Sequence, residues 1–289
     1  MTKCQIAETM TKFYKFHGTG NDFVMLDGRD YPDIPSTSDI AYLCHRNFGI
    51  GADGLILVAP RAGYDFEMIY FNSDGSPAMM CGNGARCAVA FASLIGMCGN
   101  NTVFLAGDGR HTAELTHENE FDSMVRISMR DTDIPSEYGS LTEINTGTPH
   151  LVNIVPNTDE VDVFAEGRKI RYSSRYSDTG INVDWLSIDN NVLNVRTYER
   201  GVENETLSCG TGVTACAVVA SLITGQTNWK VITRGGTLWV EMKKEESRFS
   251  QITLKGPVKL VYTGEISIPV IKGDITSVLN PDINKIKRF

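Results

Sequence analysis

The chain of 289 residues carries 27 Lys and Arg against 35 Asp and Glu, a net charge of −8, with 42% hydrophobic residues and 7 cysteines. This acidic, ordinary composition lacks the basic footprint of a nucleic-acid binder and excludes disordered and collagen-like classes. The apolar runs fall short of the ~18–20 residues that cross a bilayer, and an odd cysteine count with no C-x2-C pair argues against a disulfide scaffold or a structural zinc site. The opening MTKCQIAETMTK has no apolar core of a secretory signal, so the expectation is a cytoplasmic globular protein of about two domains.

In chain order, Gly18-Thr19-Gly20-Asn21 precedes the apolar run Phe23–Leu26. Phe66–Phe71 reads as a strand, and the polar loop Asn72–Ser76 follows it. Then comes Cys81-Gly82-Asn83-Gly84 and an Ala/Val/Leu-rich segment long enough for three helical turns, with Gly96 as its stop. Val125–Met129 alternates like a strand, and Asp, Pro and Ser cluster in Asp131–Ser140 as a boundary. Beyond it lie Gly147-Thr148-Pro149-His150, the strand-like Val192–Tyr198 and the polar loop Glu199–Asn204. Cys209-Gly210-Thr211-Gly212 opens a second apolar helix stopped at Gly225, and Leu238–Met242 and Ile252–Leu254 return to strand. Both helices are apolar nearly all round, which marks them as buried.

That order is a repeat. Cys81 and Cys209 stand 128 residues apart, and from them seven of fifteen positions are identical between 81–95 and 209–223. Gly18 and Gly147, and Gly51 and Gly180, keep nearly the same offset. The predicted fold is α+β: two pseudo-symmetric domains, each a curved, antiparallel-rich sheet around one buried helix, with the active site in the cleft between them. The domains are placed at 13–132, completed by part of 262–289, and at 133–261.

A Gly-rich turn feeding a helix leaves free N–H groups at the positive end of the helix dipole. Such a turn binds an anion, for example a carboxylate, and is expected to favour a thiolate. One C-G-x-G is a weak signal, equally readable as a thiol beside a tight turn. Two copies at equivalent places are stronger, because pseudo-twofold domains that meet face to face would set Cys81 and Cys209 across one cleft. Two opposed thiols around a carboxylate suit inversion of a stereocentre: one thiolate takes the proton from the neighbouring carbon and the other thiol returns one to the opposite face. Cys4, Cys44, Cys87, Cys98 and Cys216 read as bland thiols. No motif points to PLP, a nucleotide or a metal, so the chemistry is expected to need no cofactor.

These residues resemble the diaminopimelate epimerase family over roughly Phe13 to Glu265. The resemblance is carried by His17–Phe23, Gly49–Gly54, Phe71–Ser76, Met80–Arg86, Gly147–His150, Tyr198–Gly201 and Ser208–Gly212. It implies that Cys209 and Cys81 are proton acceptor and donor in the LL-to-meso direction and exchange roles in reverse. It further implies that Gly82, Asn83, Gly210 and Thr211 hold the reacting carboxylate. Asn21, Asn72, Asn182 and Arg200 would hold the distal amino-acid end, the Glu199–Arg200 segment would receive the amino groups, and His150 and Glu199 would tune the thiols. Without the resemblance, Asn72 and Asn182 also read as turn residues, Arg200 as a surface charge and His150 as structural. Arg86 reads as pairing within its own helix. The chain departs from the family pattern at Thr148, where members often have Asn, and at Gly54, where many have Gln. A homodimer is implied.

Two rivals stand beside this reading. A racemase of another amino acid, such as proline or hydroxyproline, would share the paired thiols, but proline racemases carry His where this chain has Asn83. A thiol–disulfide redox protein would ordinarily show C-x-x-C, which is missing here.

Overall fold

The computed structural model describes residues 10–31, 34–135 and 137–267. Eight strands make up the first half: Met10–Gly18, Asn21–Asp27, Gly54–Ala59, Phe66–Asn72, Pro77–Ala78, Asn101–Ala106, Gly109–His117 and Asp122–Ser128, here β1 to β8. After the short β9, Thr132–Asp133, eight more follow: Leu141–Asn145, Pro149–Ile154, Asn182–Asp189, Val192–Glu199, Asn204–Thr206, Asn228–Thr233, Gly236–Lys244 and Arg248–Ser267, β10 to β17. Among the described residues, four α-helices, α1 Thr37–Cys44, α2 Gly82–Leu94, α3 Val163–Arg171 and α4 Gly210–Thr224, fall at matching places in the two series.

The repeat seen in the sequence is therefore a repeat of connections. β2 pairs parallel with β3 across α1, and β11 pairs parallel with β12 across α3. β4 pairs parallel with β6 across α2, and β13 with β15 across α4. The other pairings are antiparallel, and all seventeen strands join in one hydrogen-bonded sheet. β17 is the link: it pairs with β16 and β9, then with β8, and finally with β1, where Met10 faces Ser267.

α2 is buried from Gly82 to Ala92 and α4 over nearly its whole length. Side chains of both helices and of the inner sheet faces form one apolar cluster that runs through both halves, rather than a separate core in each. Fully burying one of its Phe or Leu side chains contributes about 1.5–3 kcal/mol. Gly225 caps α4 in the left-handed region at φ 80°, and Gly96, just past α2, sits at φ 73°, as their stop positions require.

The sequence reading missed the outer helices. α1 covers the outside of the first half's sheet in a second apolar cluster with Val24, Leu26, Leu55 and Leu57. α3 does the same in the second half, with Leu151, Val183, Trp185 and Tyr198. Among the described residues, no helix is long and apolar enough to cross a membrane.

Candidate active site

The outer helices begin with side-chain caps: Ser36 accepts from the N–H of Asp39, and Asp162 from that of Ala165. The inner helices begin differently. Their N-cap residues are Cys81 and Cys209, both extended, and neither side chain caps. The first helical bonds run from Ala85 N to Cys81 O (2.7 Å) and from Val213 N to Cys209 O (2.9 Å). The N–H groups of residues 82–84 and 210–212 thus have no acceptor within their helices. Those of Asn83 and Gly84 lie on the side of Cys81, and that of Gly212 on the side of Cys209, where they favour the thiolate without capping it.

The two N-termini touch. A Cβ on Gly210 would lie 3.3 Å from Gly82 Cα and 3.1 Å from Leu254 Cδ2, and one on Gly82 would lie 3.6 Å from Gly210 Cα. Glycine at both positions lets the first turns of α2 and α4 approach at backbone distance.

Around Cys81 the network is built of amides. Asn21 donates from Nδ2 to Asp53 Oδ2 (2.7 Å), which leaves its Oδ1 to accept from Cys81 Sγ (3.4 Å) and Asn83 Nδ2 (3.3 Å). Asn83 Nδ2 also reaches across to the carbonyl of Ser208, next to the other cysteine, at 2.8 Å. Arg46 ties Asp53 (2.7 Å) to Asp22 (2.8 Å), and buried Lys15 meets Asp22 at 2.7 Å. Burial opposes ionisation of Asp22, but its bonds to Arg46 and Lys15 hold the carboxyl well below the usual range.

Around Cys209 the network is an acid–base chain. Cys209 Sγ lies 3.4 Å from Thr211 Oγ1, which lies 2.9 Å from His150 Nε2. Thr148 Oγ1 is 3.0 Å and Asn182 Nδ2 3.3 Å from the same nitrogen. His150 Nδ1 is 2.7 Å from Asp184 Oδ2, whose other oxygen accepts from Thr197 at 2.7 Å. A carboxylate can only accept, so Nδ1 carries the proton, and in the neutral ring Nε2 accepts from the hydroxyls. His150 and Asp184 are fully buried. Gly212 makes room for them: a Cβ there would lie 2.4 Å from Asp184 Oδ1.

Electrostatics correct one expectation. The N–H groups of Asn83 and Gly84 do favour the Cys81 thiolate, but burial outweighs them and pushes the thiol up to about 11. Cys209 is raised well above its ordinary value, first by burial and then by the charges of Glu199 and Asp184. Burial likewise raises the Glu199 carboxyl. Both cysteines are thereby held as thiols at neutral pH.

The structure brings Cys81, Gly82, Asn83 and Asn21 together with Cys209, Gly210, Thr211, His150 and Asn182, and the charge of Glu199 acts on both thiols. Asn182 accepts from Arg200 N at 2.8 Å, which fixes the chain at the end of β13. The exposed Arg200 side chain bonds the carbonyl of Thr179 at 2.9 Å. Asn72 is also exposed and closes its own turn, donating to Ser76 Oγ at 3.1 Å. Thr148, a departure from the family pattern, bonds both His150 and Asn182. At Gly54, the other departure, the ring of Tyr70 takes the space of a side chain: a Cβ there would lie 2.6 Å from Tyr70 Cε2.

The sequence reading passed over Asp53, Asp184 and Tyr70. Asp184 had a readable signal, as the one acidic residue within the otherwise uncharged stretch Ile181–Ile188. A buried carboxylate in a strand calls for a partner.

The profile of the diaminopimelate epimerase family matches residues 13–130 and 142–261. The diaminopimelate epimerase of Flavobacterium psychrophilum is 46% identical over 257 residues, which cover 87% of this chain and 98% of that protein. That of Aquifex aeolicus is 36% identical over 283 residues, 90% of this chain and 99% of the other. Among solved structures, the fold is similar to a hydroxyproline epimerase from Agrobacterium vitis with bound trans-4-hydroxy-L-proline. The TM-score is 0.65 at 13% identity, with 91% of this chain and 92% of that one covered. It is also similar to a phenazine biosynthesis protein of the PhzF family from Bacillus anthracis. Here the TM-score is 0.68 at 13% identity, with coverage of 89% and 99%.

Proposed function

Because the chain belongs to the diaminopimelate epimerase family, we propose that it interconverts LL- and meso-2,6-diaminopimelate by proton transfer between Cys81 and Cys209, without a cofactor. The chain is an isomerase acting on a small molecule. The observation that carries the two-thiol reading is the meeting, at Gly82 and Gly210, of two helix N-termini that each begin at a cysteine.

The chemistry follows from that contact. A carboxylate placed at the junction takes hydrogen bonds from the free N–H groups of Gly82, Asn83, Gly210 and Thr211, at the positive ends of two dipoles. Deprotonation of the adjacent carbon sends its electron pair toward this carboxylate, where preorganised donors gain most. Once one cysteine has released its proton to solvent, its thiolate takes the α-proton and becomes a thiol. The other thiol gives its proton to the opposite face and becomes the thiolate. The centre is inverted, and the pair is left in the mirrored protonation state, ready for the reverse reaction.

Glu199 and the end of β13 receive the amino group, while Asn21, Asn72, Asn182 and Arg200 hold the distal, unreacted end. His150, through Thr211, tunes Cys209. Asn72 keeps its Oδ1 and Arg200 its remaining N–H donors beyond the bonds to Ser76 and Thr179. The product serves lysine and peptidoglycan precursor synthesis in the cytoplasm, and the enzyme works as a homodimer.

The test is incubation of the reduced protein with LL-diaminopimelate in D2O, following deuterium at the α-carbon and the meso:LL ratio. Incorporation with inversion is the expected outcome. Folded protein with free thiols and no exchange would make diaminopimelate the wrong substrate, and turnover of proline or hydroxyproline instead would identify a racemase of another amino acid.

A further inference from the structure

Arg86 lies in the second turn of α2 and is fully buried. Its guanidinium folds back toward the N-terminus of the helix. Nη1 donates to the Gly82 carbonyl (3.3 Å), and Nη2 donates to Asn83 Oδ1 (2.9 Å) and Thr19 Oγ1 (3.3 Å). Nε is buried with no partner. Glycines on two strands make room for it: a Cβ on Gly18 would lie 3.2 Å from Nη2, and one on Gly256 3.1 Å from Nε.

All three hydrogen-bond acceptors are neutral, and among the described residues no carboxylate pairs with Arg86. The ionisable groups that act on it are the thiols of Cys87, on its own helix, and Cys81. Burial lowers the guanidinium to about 10, so it remains a cation at neutral pH. Burying a cation without a counter-ion is costly, and the cost is relieved when a neighbour becomes an anion. Cys87 couples to it more strongly but is held further up by burial, so Cys81 is the neighbour that can ionise. Glu199 on β13 opposes its ionisation, and the Tyr70 phenol on β4 is also within electrostatic reach.

The other half has no such charge. Thr214 stands five residues after Cys209, as Arg86 stands five after Cys81, and it is fully buried. Its hydroxyl donates to Gly210 O at 2.9 Å, the counterpart of the Gly82 carbonyl that Arg86 takes. One helix N-terminus therefore has a buried cation where the other has a neutral hydroxyl.

We propose that Arg86 is a positioning residue that stabilises the Cys81 thiolate with its buried charge and orients Asn83 beside it, so that Cys81 ionises before Cys209. The orienting part rests on geometry. Arg86 holds Asn83 Oδ1, which turns Asn83 Nδ2 to Asn21 Oδ1 and Ser208 O. The assignment of proton transfer to this pair rests on the proposed function, but the order of ionisation does not, so a test without substrate separates the two.

That test follows alkylation of each cysteine by iodoacetamide, at fixed mildly alkaline pH, by peptide mass spectrometry. In Arg86→Gln, the Cys81 rate is expected to fall about tenfold, one pH unit of thiolate, while the Cys209 rate stays unchanged. Arg86→Lys keeps the charge and is expected to restore most of the Cys81 rate. An unchanged Cys81 rate in folded Arg86→Gln, or an equal fall at both cysteines, overturns the proposal. If Arg86→Gln does not fold, iodoacetamide labelling of the unsubstituted protein as a function of pH decides. Read peptide by peptide, Cys81 must reach half its limiting labelling rate at a lower pH than Cys209; the reverse order overturns the proposal.

Discussion

The first turns of α2 and α4 share a backbone plan and differ in what surrounds it. Each begins with an uncapped cysteine, exposes its N–H groups at a C-G-x-G turn and is buried beyond it. Cys81 then faces amides, with the cation of Arg86 behind them, whereas Cys209 faces hydroxyls backed by the His150–Asp184 pair. The repeated backbone supplies two equivalent turns with unfilled N–H groups, and the unrepeated side chains give each thiol its own electrostatic surroundings. A reaction that inverts a centre needs both: symmetry in where the sulfurs stand, and separate control of when each carries its proton.

Removing either sulfur tests the symmetric part and has the largest expected effect. Cys81→Ala and Cys209→Ala should each lower epimerisation about 10³-fold or more, with unchanged circular dichroism. Full activity in either variant would end the two-thiol mechanism. Asp184→Asn tests the asymmetric part, because an amide can also donate and no longer dictates the His150 tautomer. Turnover should fall by roughly two orders of magnitude, while iodoacetamide labelling of Cys81 should not change. If Cys81 responds as strongly as Cys209, the two environments are not independent.

Glycines three residues after each cysteine give a stability comparison. A Cβ on Gly212 meets Asp184 Oδ1 at 2.4 Å within a packed network, so Gly212→Ala should cost about 1–3 kcal/mol in urea unfolding. At Gly84 the nearest atom is the flexible end of Ile56 (2.9 Å), with Met68 Cε and Phe23 Cζ each at 3.3 Å, so the alanine there should cost less. Equal costs would show that the helix, rather than the acid–base chain, sets the demand.

The smallest effect is in the pH dependence of stability. Burial raises Cys87 in the first half and Cys216 in the second above the ordinary thiol value of 9.0, so the folded state favours the protonated form. This contribution is complete below that value and is lost as pH rises through it, because the unfolded chain ionises first. Stability should fall by about 1.4 kcal/mol per pH unit for each such thiol, and Cys87→Ala should flatten the slope measured by denaturant unfolding. A slope unchanged in that variant would assign the loss to other groups.

Much of this was legible in the sequence for identifiable reasons. The inner helices announce themselves because a helix buried on all sides must be apolar on all sides, and Cys-Gly turns repeat at its start. The outer helices did not, because α1 and α3 are only 8 and 9 residues long, bury one stripe each, and are entered through the turn formers Ser36 and Asp162. The thiols could be located but not their acidity. A helix N-terminus is written in the motif, whereas the burial that overrides it comes from contacts as distant as Leu254. Thr148 illustrates the same limit: it departs from the family pattern, yet its hydroxyl joins the His150 network beside Asn182. The grouping of residues 268–289 with the first domain lies outside the described residues.

β17 has a consequence for how the molecule is assembled. Residues 10–17 of β1 and 122–125 of β8 take their partners from positions 256–267. On the ribosome, the first half can collapse around α2 while these strand edges still lack partners. They are completed only once β17 has emerged. Pairings this distant in sequence are slow to form, and unpaired edges are templates for association between chains. During synthesis the chain therefore passes through a window in which most of the first half is present and still aggregation-prone, and the same strand that joins the two halves brings that window to a close.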